Sequence, residues 1–234
     1  MFFTKDMLKQ PRSILRNYEI CCHVLKRSLK SYSEQHAIVK ARTLADNNAV
    51  KNVKRLLDTD LILYLNYITR SEQDELMKEI DKLFRRKKYE YDHWDGAITG
   101  FRETEKTRWN AQNQAVLNRI RSTCFGDDEK MIPGVHVLDL AKNGSIHPHT
   151  DSVKFCGTTI AGLSLLSSAV MRYTSTKYED LTVDVLLPEF SVYVMKNTFR
   201  YDFKHELLGE DDSKWNNQVV PRNRRVSVLM RNDS

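Results

Sequence analysis

The sequence predicts an all-β core, a sandwich-like barrel, with helices placed ahead of it in the chain. Two observations carry this. From Val135 onward the apolar residues recur with the two-residue period of strands, in eight short runs separated by turn signals. Before residue 124 the apolar period is that of helices, so helical and strand segments do not alternate as a parallel α/β fold requires. The eight runs are Val135–Leu140, Ile146–His149, Thr158–Leu166, Val170–Thr174, Leu181–Leu187, Phe190–Met195, Tyr201–His205 and Val226–Met230. Pro188-Glu189 reads as a tight connection between two of them.

Taken from the start, the first fifty residues hold nine lysines and arginines against four acids and little steady apolar period. Residues 1–50 read as a basic N-terminal extension, and residues 51–234 as the folded domain with its helices and barrel. The basic positions Lys5, Lys9, Arg12, Arg16, Lys26, Arg27 and Lys30 suit an amphipathic mitochondrial targeting segment; a plain helical extension is the alternative. Ser71 and Asp74 have the spacing of a helix capping box, followed by a stripe of Leu76, Met77, Ile80, Leu83 and Phe84. Trp109–Ile120 is a second helix, with Ala111, Ala115, Val116 and Ile120 as its buried side. No run approaches the 18 or so uncharged apolar residues that span a bilayer, Leu61-Ile-Leu-Tyr-Leu65 being far too short. Cys21, Cys22, Cys124 and Cys156 have neither disulfide-framework nor zinc-ribbon spacing, which points to a reducing compartment. The net charge of +6 favours anionic partners in general without selecting nucleic acid.

The chemistry concentrates in Gly144-Ser-Ile-His147-Pro-His149-Thr-Asp151-Ser-Val-Lys-Phe-Cys156-Gly157. On a strand, His149 and Asp151 would face the same way. His205 follows on the polar side of a later run. Two histidines and a carboxylate are the ligand set of a facial triad, which covers one face of an octahedral Fe(II) and leaves the other for substrate and dioxygen. The same three ligands can hold zinc with water, and the plainest alternative makes Asp151 a turn residue and His149 a surface histidine. Arg225-Val-Ser-Val-Leu-Met-Arg231 puts both arginines on one strand face and Val226, Val228 and Met230 on the other. A core-facing arginine requires an anion, and guanidinium grips a carboxylate through two parallel bonds. Tyr193 alternates out of the Val192/Val194 face, so its phenol is a candidate donor to such an anion; aromatic packing is the alternative. His147 reads as a rim residue, His136 as a strand histidine beside the site, His93 as part of an approach loop and Cys156 as a small buried hydrophobe.

The order His149-x-Asp151, His205, Arg225-x5-Arg231 resembles the AlkB family of iron- and 2-oxoglutarate-dependent dioxygenases, and its mitochondrial branch in animals most closely. The resemblance runs from about Lys87 to Arg231, roughly three fifths of the chain. It includes residues 85–95, Gly100-Phe-Arg-Glu-Thr-Glu-Lys106, Val135-His-Val-Leu-Asp-Leu140, Asp151-Ser-Val-Lys-Phe-Cys-Gly157, Ile160-Ala-Gly-Leu-Ser-Leu-Leu-Ser167 and Tyr201-Asp-Phe. It implies a double-stranded β-helix, or jelly roll, with flanking N-terminal helices. It also implies Fe(II) held by His149, Asp151 and His205, with 2-oxoglutarate as cosubstrate beside dioxygen. Arg225 and Tyr193 would take the distal carboxylate of 2-oxoglutarate, and Arg231 would lie near its other end or brace the iron ligands. The resemblance further implies the mitochondrial matrix and associations with programmed necrosis and fatty-acid metabolism.

Two departures from the broader family stand out. Its Asn-x-Tyr becomes His136-Val-Leu138, and its Arg-x-Asn-x-Thr-x-Arg becomes Arg225-x-Ser227-x-Leu229-x-Arg231. They count against nucleobase repair by the usual route rather than against iron. The expected activity is hydroxylation of a mitochondrial protein. Demethylation of mitochondrial tRNA is the alternative, since Arg85, Arg86, Lys87 and Lys88 lie beside Tyr89, Tyr91, His93 and Trp94. A mitochondrial scaffold with marginal catalysis is the third reading.

Overall fold

A computed structural model of the chain describes residues 37–40 and 47–234, apart from residues 94, 95 and 179. The basic segment 1–30, Cys21, Cys22 and Trp94 lie outside the described residues. The elements are β1 (Ala37–Lys40), α1 (Asn47–Leu56), β2 (Leu61–Tyr64), α2 (Arg70–Phe84), β3 (Ile98–Lys106), α3 (Ala111–Cys124), β4 (Val135–His149), β5 (Thr159–Leu165), β6 (Ala169–Ser175), β7 (Thr182–Leu187) and β8 (Val192–Lys196). They continue with α4 (Asn197–Tyr201), β9 (Phe203–Leu207), the small β10 (Lys214–Trp215) and β11 (Gln218–Val219) hairpin, and β12 (Arg225–Arg231). β1 and the start of α1 thus lie within the first fifty residues.

The main sheet runs β1-β7-β6-β9-β4-β12-β5-β8-β2, with β3 pairing β4 off this path. Its joint is β4. Residues His136–Leu140 pair with β12, whereas Ile146 and His149 pair with β9. The sheet therefore folds over on itself into the double-stranded β-helix, and the two expected strands Val135–Leu140 and Ile146–His149 are one bent strand. At the bend, a Cβ on Gly144 would come within 2.5 Å of the Gly100 carbonyl oxygen, and Gly100 itself has φ +64°. Only glycine allows the β3 and β4 backbones to cross this closely.

β3 is absent from the strands read in the sequence because both its faces are polar. Arg102 and Lys106 alternate with Glu103 and Glu105, which leaves no apolar period to detect. The run expected at Tyr201–His205 is instead the short α4 followed by β9.

Two apolar layers hold the fold. One fills the space between the curled halves, with Leu138, Leu140, Met171, Tyr173, Val183, Val185, Met195, Phe199 and Phe203. The other lies between the outer face of β5, β8 and β12 and the helices: Leu76, Ile80 and Phe84 of α2 and Leu117 and Ile120 of α3 pack on Leu163, Val194, Val226 and Val228. Ala111 and Ala115 are exposed, and the buried side of α3 is Asn113, Val116, Leu117, Ile120 and Cys124. Leu83 likewise keeps 37% of its surface in solvent. The capping box of α2 is Thr69 with Glu72, not Ser71 with Asp74: Thr69 Oγ1 accepts from the Glu72 amide at 3.2 Å and Glu72 Oε2 from the Thr69 amide at 2.8 Å. Ser71 already lies inside the first turn. Among the described residues, no helix is long and apolar enough to cross a membrane.

The helix layer is tied to the sheet by Asp139 of β4, a fully buried carboxylate. It accepts from Arg102 Nε at 2.9 Å, Arg224 Nη2 at 2.7 Å and the Tyr89 hydroxyl at 3.1 Å. Arg102 also donates to the carbonyls of Phe84 and Lys87, which fixes the exit of α2. Removing one partner of a buried ion pair costs about 3–5 kcal/mol, and Arg224 keeps part of its surface in water. Asp139→Ala should therefore destabilise the domain by about 3 kcal/mol in urea unfolding; a loss under about 1 kcal/mol would show that the node is dispensable.

Candidate metal centre

β4 ends at His149, and β9 runs antiparallel beside it with His205 directly opposite. The two imidazole centroids are 4.3 Å apart. Asp151 lies two residues past the end of β4, so the turn, not strand alternation as expected from the sequence, brings its carboxylate round. One ligand atom from each of His149, Asp151 and His205 lies within 4.8 Å of the others, close enough for one ion to bridge all three.

The local bonds set each ligand's state. His149 Nδ1 is 2.8 Å from the His147 carbonyl oxygen. A carbonyl only accepts, so Nδ1 carries the proton and Nε2 is left as the donor atom for a metal. His147 itself is exposed and contributes its backbone alone. Burial pushes His205 down to about 4, with Asp151 opposing, so its imidazole is neutral and ready to ligate at neutral pH. Burial would raise the Asp151 carboxyl, but His205, Arg231, His149 and Arg200 together hold it below the usual carboxylate range. Tyr173, opposite His205 on β6, backs the His205 ring and meets Phe199 edge-on at 5.4 Å.

The three side chains open onto a cavity of about 720 Å³ between the curled halves of the sheet. Arg225, Ser227, Leu229 and Arg231 of β12 line it, while Val226, Val228 and Met230 face the helices, as the alternation predicts. Arg225 is 1 % exposed. Its Nη2 donates to Ser164 Oγ at 2.9 Å, but Nε and Nη1 have no partner. Buried guanidinium donors without an acceptor are costly, and an anion in the cavity would satisfy the open Nη1 beside Nη2. Tyr193 lines the same cavity. Burial, partly offset by Arg225, pushes its phenol up to about 12, so it stays a donor. A Cβ on its cross-strand neighbour Gly162 would come within 2.3 Å of the Tyr193 ring, so glycine there is what lets the phenol lie across β5. Burial lowers Arg225 to about 10, which still leaves it charged at neutral pH.

His136, His93 and Cys156 also line the cavity. Sequence reasoning did not single out Arg200, Ser164 or Glu103. Arg200 is the most consequential of these. It is 1 % exposed and donates to the carbonyls of Asp151 at 2.9 Å, Ser152 at 3.1 Å and Cys156 at 3.3 Å. It is the clamp on the turn that presents Asp151. Nothing in its spacing marks it, because its acceptors are backbone carbonyls. Arg200→Met would leave buried carbonyls unsatisfied at roughly 1–3 kcal/mol each and loosen the turn. Metal affinity, read by titration of the folded variant, should fall by about tenfold or more, and Arg200→Lys, which cannot fork, should restore only part of it. An unchanged affinity in the folded Met variant would remove Arg200 from the account.

No family model matches the chain. Curated relatives do. The chain is 46% identical over 177 residues to the mitochondrial alpha-ketoglutarate-dependent dioxygenase alkB homolog 7 of Mus musculus, covering 76% of this chain and 80% of that one. It is 42% identical over 198 residues to the Bos taurus protein of the same name, covering 82% and 89%. Among solved structures, OsALKBH1 superposes with a TM-score of 0.50 at 14% identity, over 74% of this chain and 97% of that one. A Trichoplax adhaerens prolyl hydroxylase in complex with a hypoxia inducible factor peptide fragment superposes with a TM-score of 0.54 at 12% identity, over 81% and 91%. The structural likenesses establish the double-stranded β-helix, and the two mammalian relatives, with the His149, Asp151 and His205 cluster, establish the rest: the chain belongs to the AlkB family of Fe(II)- and 2-oxoglutarate-dependent dioxygenases.

Proposed function

We propose that His149, Asp151 and His205 hold Fe(II), that Arg225 and Tyr193 seat 2-oxoglutarate, and that the enzyme hydroxylates a protein in mitochondria. The observation that carries the cosubstrate assignment is the pair of unpartnered buried donors, Arg225 Nε and Nη1, facing the same cavity as the three ligands. With iron, 2-oxoglutarate and dioxygen bound, the site supplies the oxidation of an unreactive C–H bond to C–OH, the second oxygen atom leaving in succinate as carbon dioxide is released.

The chain's own residues set the conditions for that reaction. Arg225 would hold the distal carboxylate as a buried cation with open donors, and the Tyr193 phenol would add a further bond. His149 presents the Nε2 left open by its Nδ1 bond, and the neutral imidazole of His205 and the ionised Asp151 present ligand atoms without first losing protons. Arg200 fixes the Asp151 turn, and the apolar lining of Leu138, Met171, Met195 and Leu229 keeps bulk water away from the reacting centre.

The mouth of the cavity supports a polypeptide as the substrate. Glu103 and Glu105 are on its wall, where they repel a phosphate backbone. The basic and aromatic run before β3 is partly consumed by the fold: Tyr89 bonds Asp139, and Lys87 Nζ donates to the Glu103 carbonyl at 2.8 Å. Beside Asp151, Val153 and Phe155 project 62% and 67% of their surface into solvent, an apolar lip that suits a polypeptide. Mitochondrial location is carried by the two mitochondrial relatives, and the basic N-terminal residues agree with a matrix destination.

Arg225→Lys replaces a fork with a point charge, and charge-assisted bonds are worth about 1.5–3 kcal/mol. The 2-oxoglutarate concentration for half-saturation should rise by roughly ten- to a hundredfold; equal saturation of wild type and variant would refute the pairing. For the substrate, the Asp151→Ala protein should be crosslinked in mitochondria and both protein and RNA recovered. Trapped proteins whose hydroxyl depends on the active enzyme fit the proposal. Enrichment of tRNA that loses a base methyl only with active enzyme would replace it with demethylation. Full cellular rescue by the variant would leave a scaffold.

A further inference from the structure

Glu103, His136 and Arg231 form a row across three neighbouring strands. In the β3–β4 register Glu105 stands opposite His136, and in the β12–β4 register Leu229 does. Glu103 and Arg231, each two residues further along, therefore share the cavity face with His136. The bonds run the length of this row. Arg231 Nη2 is 3.2 Å from His136 Nδ1, and His136 Nε2 is 2.8 Å from Glu103 Oε2. A guanidinium cannot accept, so Nδ1 is the acceptor and Nε2–H donates to Glu103. The imidazole is thereby held in one tautomer. Glu103 Oε1 lies 3.4 Å from His93 Nε2, which anchors the outer end of the row.

The inner end meets the ligand cluster. Arg231 Nη2 is 3.8 Å from Asp151 Oδ1, near enough for attraction and too far for a hydrogen bond. Arg231 Nε is buried without a partner. An unrestrained arginine beside a carboxylate closes into a forked pair. Here the Nη2 nearest Asp151 is tethered to His136, which fixes where the guanidinium sits.

We propose that Glu103 and His136 are positioning residues that hold Arg231 off Asp151, so that the carboxylate remains free to bind metal. The proposal rests on the reading of His149, Asp151 and His205 as the metal ligands. Arg231 is thereby kept as a nearby positive charge rather than as a competitor for the ligand oxygen.

The test is a double-mutant cycle on the full chain, read by electron paramagnetic resonance titration of Mn(II), a redox-silent divalent ion. His136→Leu should weaken Mn(II) binding by about 10–100-fold, the usual effect of losing a partner of a metal ligand. The same change made on top of Arg231→Met should alter affinity by less than about threefold, because no arginine remains to close on Asp151. Glu103→Leu should reproduce part of the loss by freeing the tautomer, and Glu103→Gln, whose amide oxygen still accepts from Nε2–H, should restore it. Thermal melting checks that each variant is folded. A His136→Leu loss of equal size with and without Arg231 would overturn the proposal, reducing the row to a strand tie while leaving the metal reading intact. A wild-type chain that binds no Mn(II), or binds it equally well after His149→Ala, would instead overturn the metal reading on which the proposal rests.

Discussion

The first half of β4 pairs with β12 and the second half with β9, so a single strand carries the backbone from one face of the barrel to the other. That crossing is possible only because Gly144 and Gly100 meet without side chains. Its consequence is positional. The strand that supplies His136 and Leu138 to the cavity wall emerges at its far end as His149, opposite His205, with Asp151 one turn beyond. The ligand cluster is therefore set by sheet pairing at two of its three positions, and by the Arg200 clamp at the third.

Charge in the cavity is organised around the same geometry. Arg200 and Arg231 flank one carboxylate, Asp151, while Arg225 lines the same cavity; Arg200 and Arg225 are almost wholly buried. Each is handled differently. Arg200 gives its Nη donors to backbone carbonyls and Arg231 gives Nη2 to an imidazole, each with Nε open, and Arg225 is left with both Nε and Nη1 open. An unpaired buried cation is expensive to maintain, and Arg225 stands on the wall of the cavity that holds the His149, Asp151 and His205 cluster, where an anionic cosubstrate would complete it. Asp139 shows the opposite arrangement: two arginines converge on one carboxylate, and the result is structural.

Much of this was legible in the sequence. The eight runs after Val135 located the barrel because their alternation reports burial on one face, and β12 could be read residue by residue. The triad was legible as residue types but not as geometry, since Asp151 reaches the site through a turn rather than along a strand. β3 was invisible for a related reason: Glu103 and Glu105 face the cavity, so a functional surface erased the apolar alternation that marks a strand. Arg200 and Ser164 could not be found at all, because what they bind is fixed by tertiary structure. The α2 cap was misplaced by two residues although Thr69-x-x-Glu72 is the better signature, Ser71 having drawn attention to the wrong turn. The basic run at residues 85–88 read equally as an RNA groove or as a helix exit, and the bonds of Lys87 and Tyr89 show how part of it serves the fold.

The central claim is that His149, Asp151 and His205 form one iron site whose cavity is completed by 2-oxoglutarate on Arg225. Anaerobic titration of the purified chain with Fe(II) and then 2-oxoglutarate, followed by visible absorption, tests it most directly. The account predicts a charge-transfer band that requires both additions, saturates at one equivalent of each and is absent from the Asp151→Ala protein. A band that persists unchanged in that variant, or a wild-type protein that shows none, would contradict it.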